Sequence, residues 1–237
     1  MLQIRVVPAV LFGANCYVVW EDTEPSKKAL VVDPGPGTAQ GVQEVLGAEQ
    51  LEVGAVLLTH GHIDHVWDAA QVAALEQVTS ADAEATVIPV LIPQPDLGFL
   101  QDPAGMLGFS PQGFGLPAWE YPAGVVPIED LSFGPVPGIM FRMIPAPGHS
   151  PGSAVFLMAG TGGAGTPLAL SGDVVFAGSV GRTDLPGGDE EEMRESLRTL
   201  AGAMDPATTL LPGHGEATTW GHELATNPYV KRAVRRG

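Results

Sequence analysis

The run Thr59-His60-Gly61-His62-Ile63-Asp64-His65 constrains this chain more than any other stretch. Three imidazoles and a carboxylate fall within six positions. Neutral imidazole is the commonest transition-metal ligand, and carboxylate oxygen suits zinc, iron and manganese. No need of a folding core calls for such crowding. The residues before it, Val53-Gly54-Ala55-Val56-Leu57-Leu58-Thr59, are apolar and brief, which predicts a buried strand. From Asp64 onward the chain turns rich in Ala, Leu and Val, which predicts a helix. The cluster therefore belongs to a strand-to-helix loop. Side chains of extended backbone repeat every second residue, so His60 and His62 can face one point. The turn then carries Asp64 and His65 towards a neighbouring point, a layout that suits two metal positions better than one.

The remaining chemistry sits in turns of one style. His149 lies in Ala146-Pro147-Gly148-His149-Ser150-Pro151-Gly152, and His214 in Leu211-Pro212-Gly213-His214-Gly215. Asp173 closes Leu170-Ser171-Gly172-Asp173. Each follows an apolar, strand-like run, and glycine and proline there permit the tight turns that hold a side chain at a sheet end. Three strand-end ligands and the opening cluster make one site from separated parts of the chain. His222 has no place in it and is read as an ordinary residue near the start of the last helix. Cys16, the only cysteine, is read as a small buried packing residue rather than a nucleophile.

In type and order, His60-x-His62-x-Asp64-His65, His149, Asp173 and His214 resemble the metallo-β-lactamase superfamily. The stretch from Ser171 to Asp189, together with Asn15-Cys16-Tyr17 and Val32-Asp33-Pro34-Gly35, looks like its glyoxalase II-like hydrolases. The likeness runs from about residue 5 to about residue 230. It implies an α/β (α+β) fold, a four-layer αββα sandwich. It also implies that His60, His62 and His149 hold one divalent metal ion and that Asp64, His65 and His214 hold a second. Asp173 and a hydroxide would bridge them, and Asp64 and Asp173 are the two candidate catalytic carboxylates. Zinc leads as the metal, with iron or manganese as alternatives. Metal-bound hydroxide would attack a small-molecule thioester, and the departing thiolate would need little protonation.

Composition narrows the partners. The chain has 237 residues, enough for a single domain over 1–237, and one cysteine, which excludes an intrachain disulfide and fits a cytoplasmic setting. The first residues show no signal-peptide layout, and no apolar run reaches the length of a membrane span. A net charge of −16 opposes binding to nucleic acid. Monomer and homo-oligomer both remain open.

Strands are expected near 2–7, 15–20, 29–32, 53–58, 86–91, 139–144, 153–158, 167–171 and 207–211, and helices near 38–47, 65–78, 188–203 and 222–234. An insertion at about 93–127 is rich in proline, glycine and aromatic residues. It is expected to form a flap over the site, with Phe109 and Phe114 lining the pocket. Trp67 follows the cluster closely enough to shape that pocket, although a place in the core fits it better. Arg182 is a candidate for an anionic group of the substrate, or else pairs with Asp184 or Asp189. Asp33 is a candidate to orient a metal-bound histidine from behind.

The chain stops soon after Asn227-Pro228-Tyr229, short of the helical domain with which glyoxalase II proper grips glutathione. The expected activity is metal-dependent thioester hydrolysis of a low-molecular-weight thiol. The alternatives are a mononuclear iron persulfide dioxygenase or a lactonase, and a metal-bearing binding module is the reading from another class.

Overall fold

The computed structural model describes residues 1–75, 87–108, 110–160 and 167–235. In the first half β1 (Leu2–Pro8), β2 (Asn15–Glu21) and β3 (Lys28–Val32) run antiparallel in turn. Helix α1 (Ala39–Glu49) crosses to β4 (Glu52–Leu57), which lies parallel to β3. Helices α2 (Ile63–Val66) and α3 (Ala69–Ala73) follow, and β5 (Val90–Pro93) and β6 (Val125–Ile128) extend the sheet in parallel. In the second half come β7 (Ser132–Val136), β8 (Ile139–Pro145), β9 (Ala154–Gly160) and β10 (Leu168–Gly172). A short hairpin of β11 (Val175–Phe176) and β12 (Ser179–Val180) precedes α4 (Glu190–Ala203). Strands β13 (Thr209–Pro212) and β14 (Thr218–Thr219) and helices α5 (Trp220–Thr226) and α6 (Pro228–Val234) complete the order. Among the described residues the strands form two six-stranded sheets, β1-β2-β3-β4-β5-β6 and β14-β13-β10-β9-β8-β7, beside that hairpin.

Strand periodicity explains the layers. In β2, Cys16, Val18 and Trp20 join one core with α1 and α3, whereas Tyr17 and Val19 join another. In β3, Ala29 and Val31 face the first core, and Leu30 and Val32 the second. That second core lies between the sheets, because Phe141, Met143, Phe156 and Leu170 of the other sheet close it. A third core packs Val155 and Ala169 against Leu197 and Leu200 of α4, Trp220 of α5 and Val230 of α6. The central strands are thus covered on both faces, and this is why they are nearly continuous in apolar residues. The result is the four-layer αββα sandwich. Burying one large apolar side chain such as Phe156 is worth about 1.5–3 kcal/mol, so the inter-sheet layer is a main source of stability.

Several expected elements differ. The helix expected over 65–78 is two short helices separated at Trp67-Asp68. The Asp68 amide donates to the Pro34 carbonyl at 2.9 Å instead of continuing the helix, and its carboxylate accepts from Ala39 N at the start of α1 at 3.0 Å. Residues 76–86 lie outside the described set, and the strand expected at 86–91 is β5, starting at Val90. The helix expected over 222–234 breaks at Asn227-Pro228. Asn227 is extended, as a residue before proline prefers, and its side chain caps α6 by accepting from Tyr229 N and Val230 N. The insertion at 93–127 is partly regular. It starts as a 3₁₀ helix, Gln94–Gln101, and its end is the edge strand β6.

Candidate metal centre

Each nominated metal ligand, and Asp33, sits past the end of a strand. Asp33 follows β3, the His60–His65 run follows β4, His149 follows β8, Asp173 follows β10 and His214 follows β13. Parallel neighbours deliver their C-terminal ends to the same edge, and ligand sites of open α/β sheets form there. The His214 loop is tied to the other sheet by the Asn15-Cys16-Tyr17 run. Asn15 Nδ2 donates to Pro212 O at 3.0 Å and to Gly215 O at 2.9 Å, and the Tyr17 hydroxyl donates to Pro212 O at 2.7 Å.

The inner group is His60, His62 and His149, with one candidate ligand atom from each lying within 4.8 Å of the others. All three are buried. Their hydrogen bonds determine which nitrogen is free. His149 Nδ1 lies 2.8 Å from the Arg182 carbonyl, an acceptor only, so Nδ1 carries the proton and Nε2 the lone pair. That Nε2 stands 2.8 Å from His62 Nδ1. The Thr59 hydroxyl donates to Asp33 Oδ2 at 2.7 Å and so accepts from His60 Nδ1, 3.1 Å away. His60 Nε2 is left facing the cluster.

The outer group is Asp64, His65 and His214, with candidate ligand atoms again within 4.8 Å. His65 Nδ1 lies 3.0 Å from Asp33 Oδ2, which turns Nε2 towards the site. Asp33 therefore orients His65 directly and His60 through Thr59. Asp173 faces both groups. Its Oδ2 is 3.5 Å from His149 Nε2 and 3.6 Å from His214 Nε2, and its Oδ1 is 3.4 Å from His65 Nε2. His214 Nε2 also lies 3.1 Å from Asp64 Oδ2.

Four buried atoms here have no hydrogen-bond partner among the described residues: His60 Nε2, His62 Nε2, His65 Nε2 and Asp173 Oδ1. Leaving buried polar atoms unpaired costs about 1–3 kcal/mol each, and a cation in each group would satisfy such atoms. The donor set of imidazole nitrogen and carboxylate oxygen fits divalent metal ions. The two groups differ in charge. Burial pushes the His60 imidazole well below its usual value and takes His62 down to about 3, so both are neutral, the form that binds metal. Burial acts on His65 in the same sense, yet Asp64, Asp173 and Asp33 overcome it and raise His65 to about 10. His214 is raised chiefly by its hydrogen bond to Asp64.

Other nominated residues fall as follows. Trp67 is buried in a satellite core with Ile63 and Ala104, its ring 5.4 Å from that of Trp119, so it supports the loop from behind. Arg182 contributes its carbonyl to His149, while its guanidinium points outward in a bidentate pair with Asp184, both bonds at 2.7 Å. Phe114 is exposed and stands 5.9 Å from the ring of Phe12, on the loop before the Ala14–His214 bridge. Phe109 lies outside the described residues. His222 is exposed on α5, and Cys16 is buried. Sequence reasoning missed two neighbours. Phe99 stacks edge-on against His62 at 5.6 Å, and Asp96 is wholly buried beside Gly61. Phe99 stands among the aromatics of the insertion; Asp96 carries no motif.

The metallo-beta-lactamase superfamily model matches residues 9–214. Hydroxyacylglutathione hydrolase GloC of Haemophilus influenzae is 30% identical over 240 residues, covering 97% of this chain and 98% of its own. The crystal structure of the BLEG-1 B3 metallo-beta-lactamase superposes with a TM-score of 0.77 at 30% identity, over 96% of this chain and 99% of that one. TTHA1623, solved in a di-iron-bound form, gives a TM-score of 0.74 at 32% identity, over 95% of this chain and 99% of its own. The chain belongs to the metallo-beta-lactamase superfamily.

Proposed function

We propose that the chain is a binuclear metal-dependent hydrolase that cleaves thioesters of a low-molecular-weight thiol, in the manner its likeness to a hydroxyacylglutathione hydrolase suggests. One observation carries the reading: Asp173 presents its two oxygens to both histidine groups, within 3.4–3.6 Å of His65, His149 and His214. Two divalent cations held there, zinc by preference and iron as the alternative that TTHA1623 suggests, would supply Lewis acidity and a water that ionises near neutral pH.

The chain's own groups do the positioning. His60, His62 and His149 are the proposed ligands of the inner ion and Asp64, His65 and His214 of the outer, with Asp173 setting the spacing. Asp64, whose side chain is part exposed, is held as a carboxylate beside His65 and His214, which suits it to be an anionic ligand rather than a proton acceptor. The thiol of the product is acidic enough to leave as thiolate, so no further general acid is required. Phe114 and Phe12 are an exposed aromatic pair whose chemistry would suit an apolar acyl chain, and the proposed partner is such a small molecule rather than nucleic acid. Among the described residues no helix is long and apolar enough to cross a membrane. With its only cysteine buried and free, the chain fits the cytoplasm.

The test is a panel of thioesters, lactones, β-lactams and persulfides, assayed on protein whose metal content has been measured. Two metal equivalents per chain with thioester turnover lost on chelation is the expected result. One iron with oxygen uptake on a persulfide would make the chain a dioxygenase instead. Full turnover after exhaustive chelation would overturn the metal reading altogether.

A further inference from the structure

We propose that Asp96 is a positioning residue for the inner metal position, clamping together the two separate loops that carry its ligands; this rests on the metal-site reading above. Asp96 is completely buried, at the fourth position of the insertion. Its Oδ2 accepts from the amide of Gly61, the residue between His60 and His62, at 2.8 Å. The same oxygen accepts from the hydroxyl of Ser150, the residue after His149, at 2.7 Å. Its Oδ1 accepts from the amide of Gly152 at 2.6 Å. One carboxylate thus bonds the backbone between two ligands of the first loop and two groups beside the ligand of the second.

The Ser150 hydroxyl is itself oriented. It donates to Asp96 and so accepts from Ser153 Oγ, 2.7 Å away, while Ser153 Oγ accepts from Ser150 N at 3.1 Å. The two glycines make the approach possible by lack of bulk. A Cβ on Gly61 would stand 2.5 Å from Phe99 Cβ, and a Cβ on Gly152 would stand 2.6 Å from Asp96 Cγ. Neither glycine has positive φ, so close contact with the Gln94–Gln101 helix accounts for them, not backbone freedom. The same helix presses Phe99 onto the His62 ring. The start of the insertion is therefore part of the metal site's frame. Outer-shell partners of this kind change metal affinity by roughly 10- to 100-fold when removed.

Among the described residues Asp96 bonds no loop of the outer group, whose His214 loop is tied instead by Asn15 and Tyr17, so the effect should be confined to one position. The experiment uses His214→Ala as a background in which only the inner position binds tightly. Metal affinity is measured by competition with a chromophoric chelator, with and without Asp96→Asn. Asparagine keeps the size but cannot accept all three bonds, and a loss of about 10- to 100-fold in inner affinity is expected. In the otherwise unchanged chain, Asp96→Asn should leave the outer step of the metal isotherm in place. Ser150→Ala, which removes one donor, should produce a smaller loss of the same kind and serves if Asp96→Asn does not fold. A cobalt-loaded sample should show a changed visible spectrum for the inner position alone. Unchanged inner affinity, or equal weakening of both positions, would overturn the proposal. If the parent chain binds no metal, the reading beneath it has failed, and the proposal with it.

Discussion

The inner and outer ligand groups are built from the same residue types, yet they are held differently. His60, His62 and His149 are 1%, 2% and 3% exposed, and the loops that carry them are tied from behind by Thr59, Asp96 and the Arg182 carbonyl. In the outer group only His65 is so buried; the His214 loop is tied through Pro212 and Gly215, but the side chains of Asp64 and His214 are 19% and 29% exposed. Burial keeps His60 and His62 neutral, whereas carboxylates draw a proton onto His65. The inner group is a preformed cage of lone pairs. The outer one is a set of ion pairs with two part-exposed members, where a metal would have to displace protons. Rigidity and access are thus divided between the two.

The largest effect should come from removing ligands on either side of that division. His62→Ala should abolish binding at the inner position and reduce thioester turnover by more than the roughly 100-fold that losing an outer-shell partner costs. His214→Ala should weaken the outer position while the inner one still fills, so graded chelation should release metal in two steps, outer first. Metal content followed against chelator concentration checks both variants. A single step, or outer metal retained longer than inner, would reverse the contrast.

A smaller effect separates the two arms of Asp33. Its carboxylate accepts from His65 Nδ1 and from the Thr59 hydroxyl, which in turn receives His60 Nδ1. Asp33→Asn should therefore lower affinity at both positions, by about 10- to 100-fold. Thr59→Val keeps the shape and removes only the hydroxyl, so it should weaken the inner position, by about 10-fold, and spare the outer. Competition titrations, read beside the melting of the metal-free variants, decide it. Equal loss at both positions in Thr59→Val would mean that the hydroxyl acts through Asp33 rather than through His60.

How much of this was legible in the chain follows from local pattern. The inter-sheet strands are apolar runs bounded by turns, and β1 to β4 and β8 to β10 lie close to where they are expected. β6 and β7 escaped because Pro127, Gly134 and Pro135 interrupt them, and their strand form depends on neighbours in the sheet. Asp68 interrupts the expected long helix because its carboxylate is used to cap α1, a contact 29 residues away that no local window contains. At the site, the seven side chains nominated from sequence are the ones that the fold gathers from strand ends of both sheets. Their supports were less visible. Asp33 stands in a recognisable turn, but Asp96 is a lone acid in a Pro/Gly-rich segment, and the part of Arg182 that touches the site is a carbonyl that any residue would have.

That last point yields the smallest expected effect. The Arg182 guanidinium is 61% exposed and paired with Asp184, whereas the contact to His149 belongs to the main chain. An exposed pair of this kind adds little to stability. Arg182→Ala should therefore leave the melting midpoint and the inner metal affinity unchanged, because alanine keeps the carbonyl. If the side chain reaches the substrate, the cost should be a higher KM for thioesters with an anionic thiol, with kcat and the KM of neutral thioesters unaffected. Comparing the two substrate classes isolates that role. A fall in inner metal affinity would instead show that the guanidinium–carboxylate pair helps to hold the 182 carbonyl in place, and the inner cage would then extend to the surface, blurring its difference from the outer group.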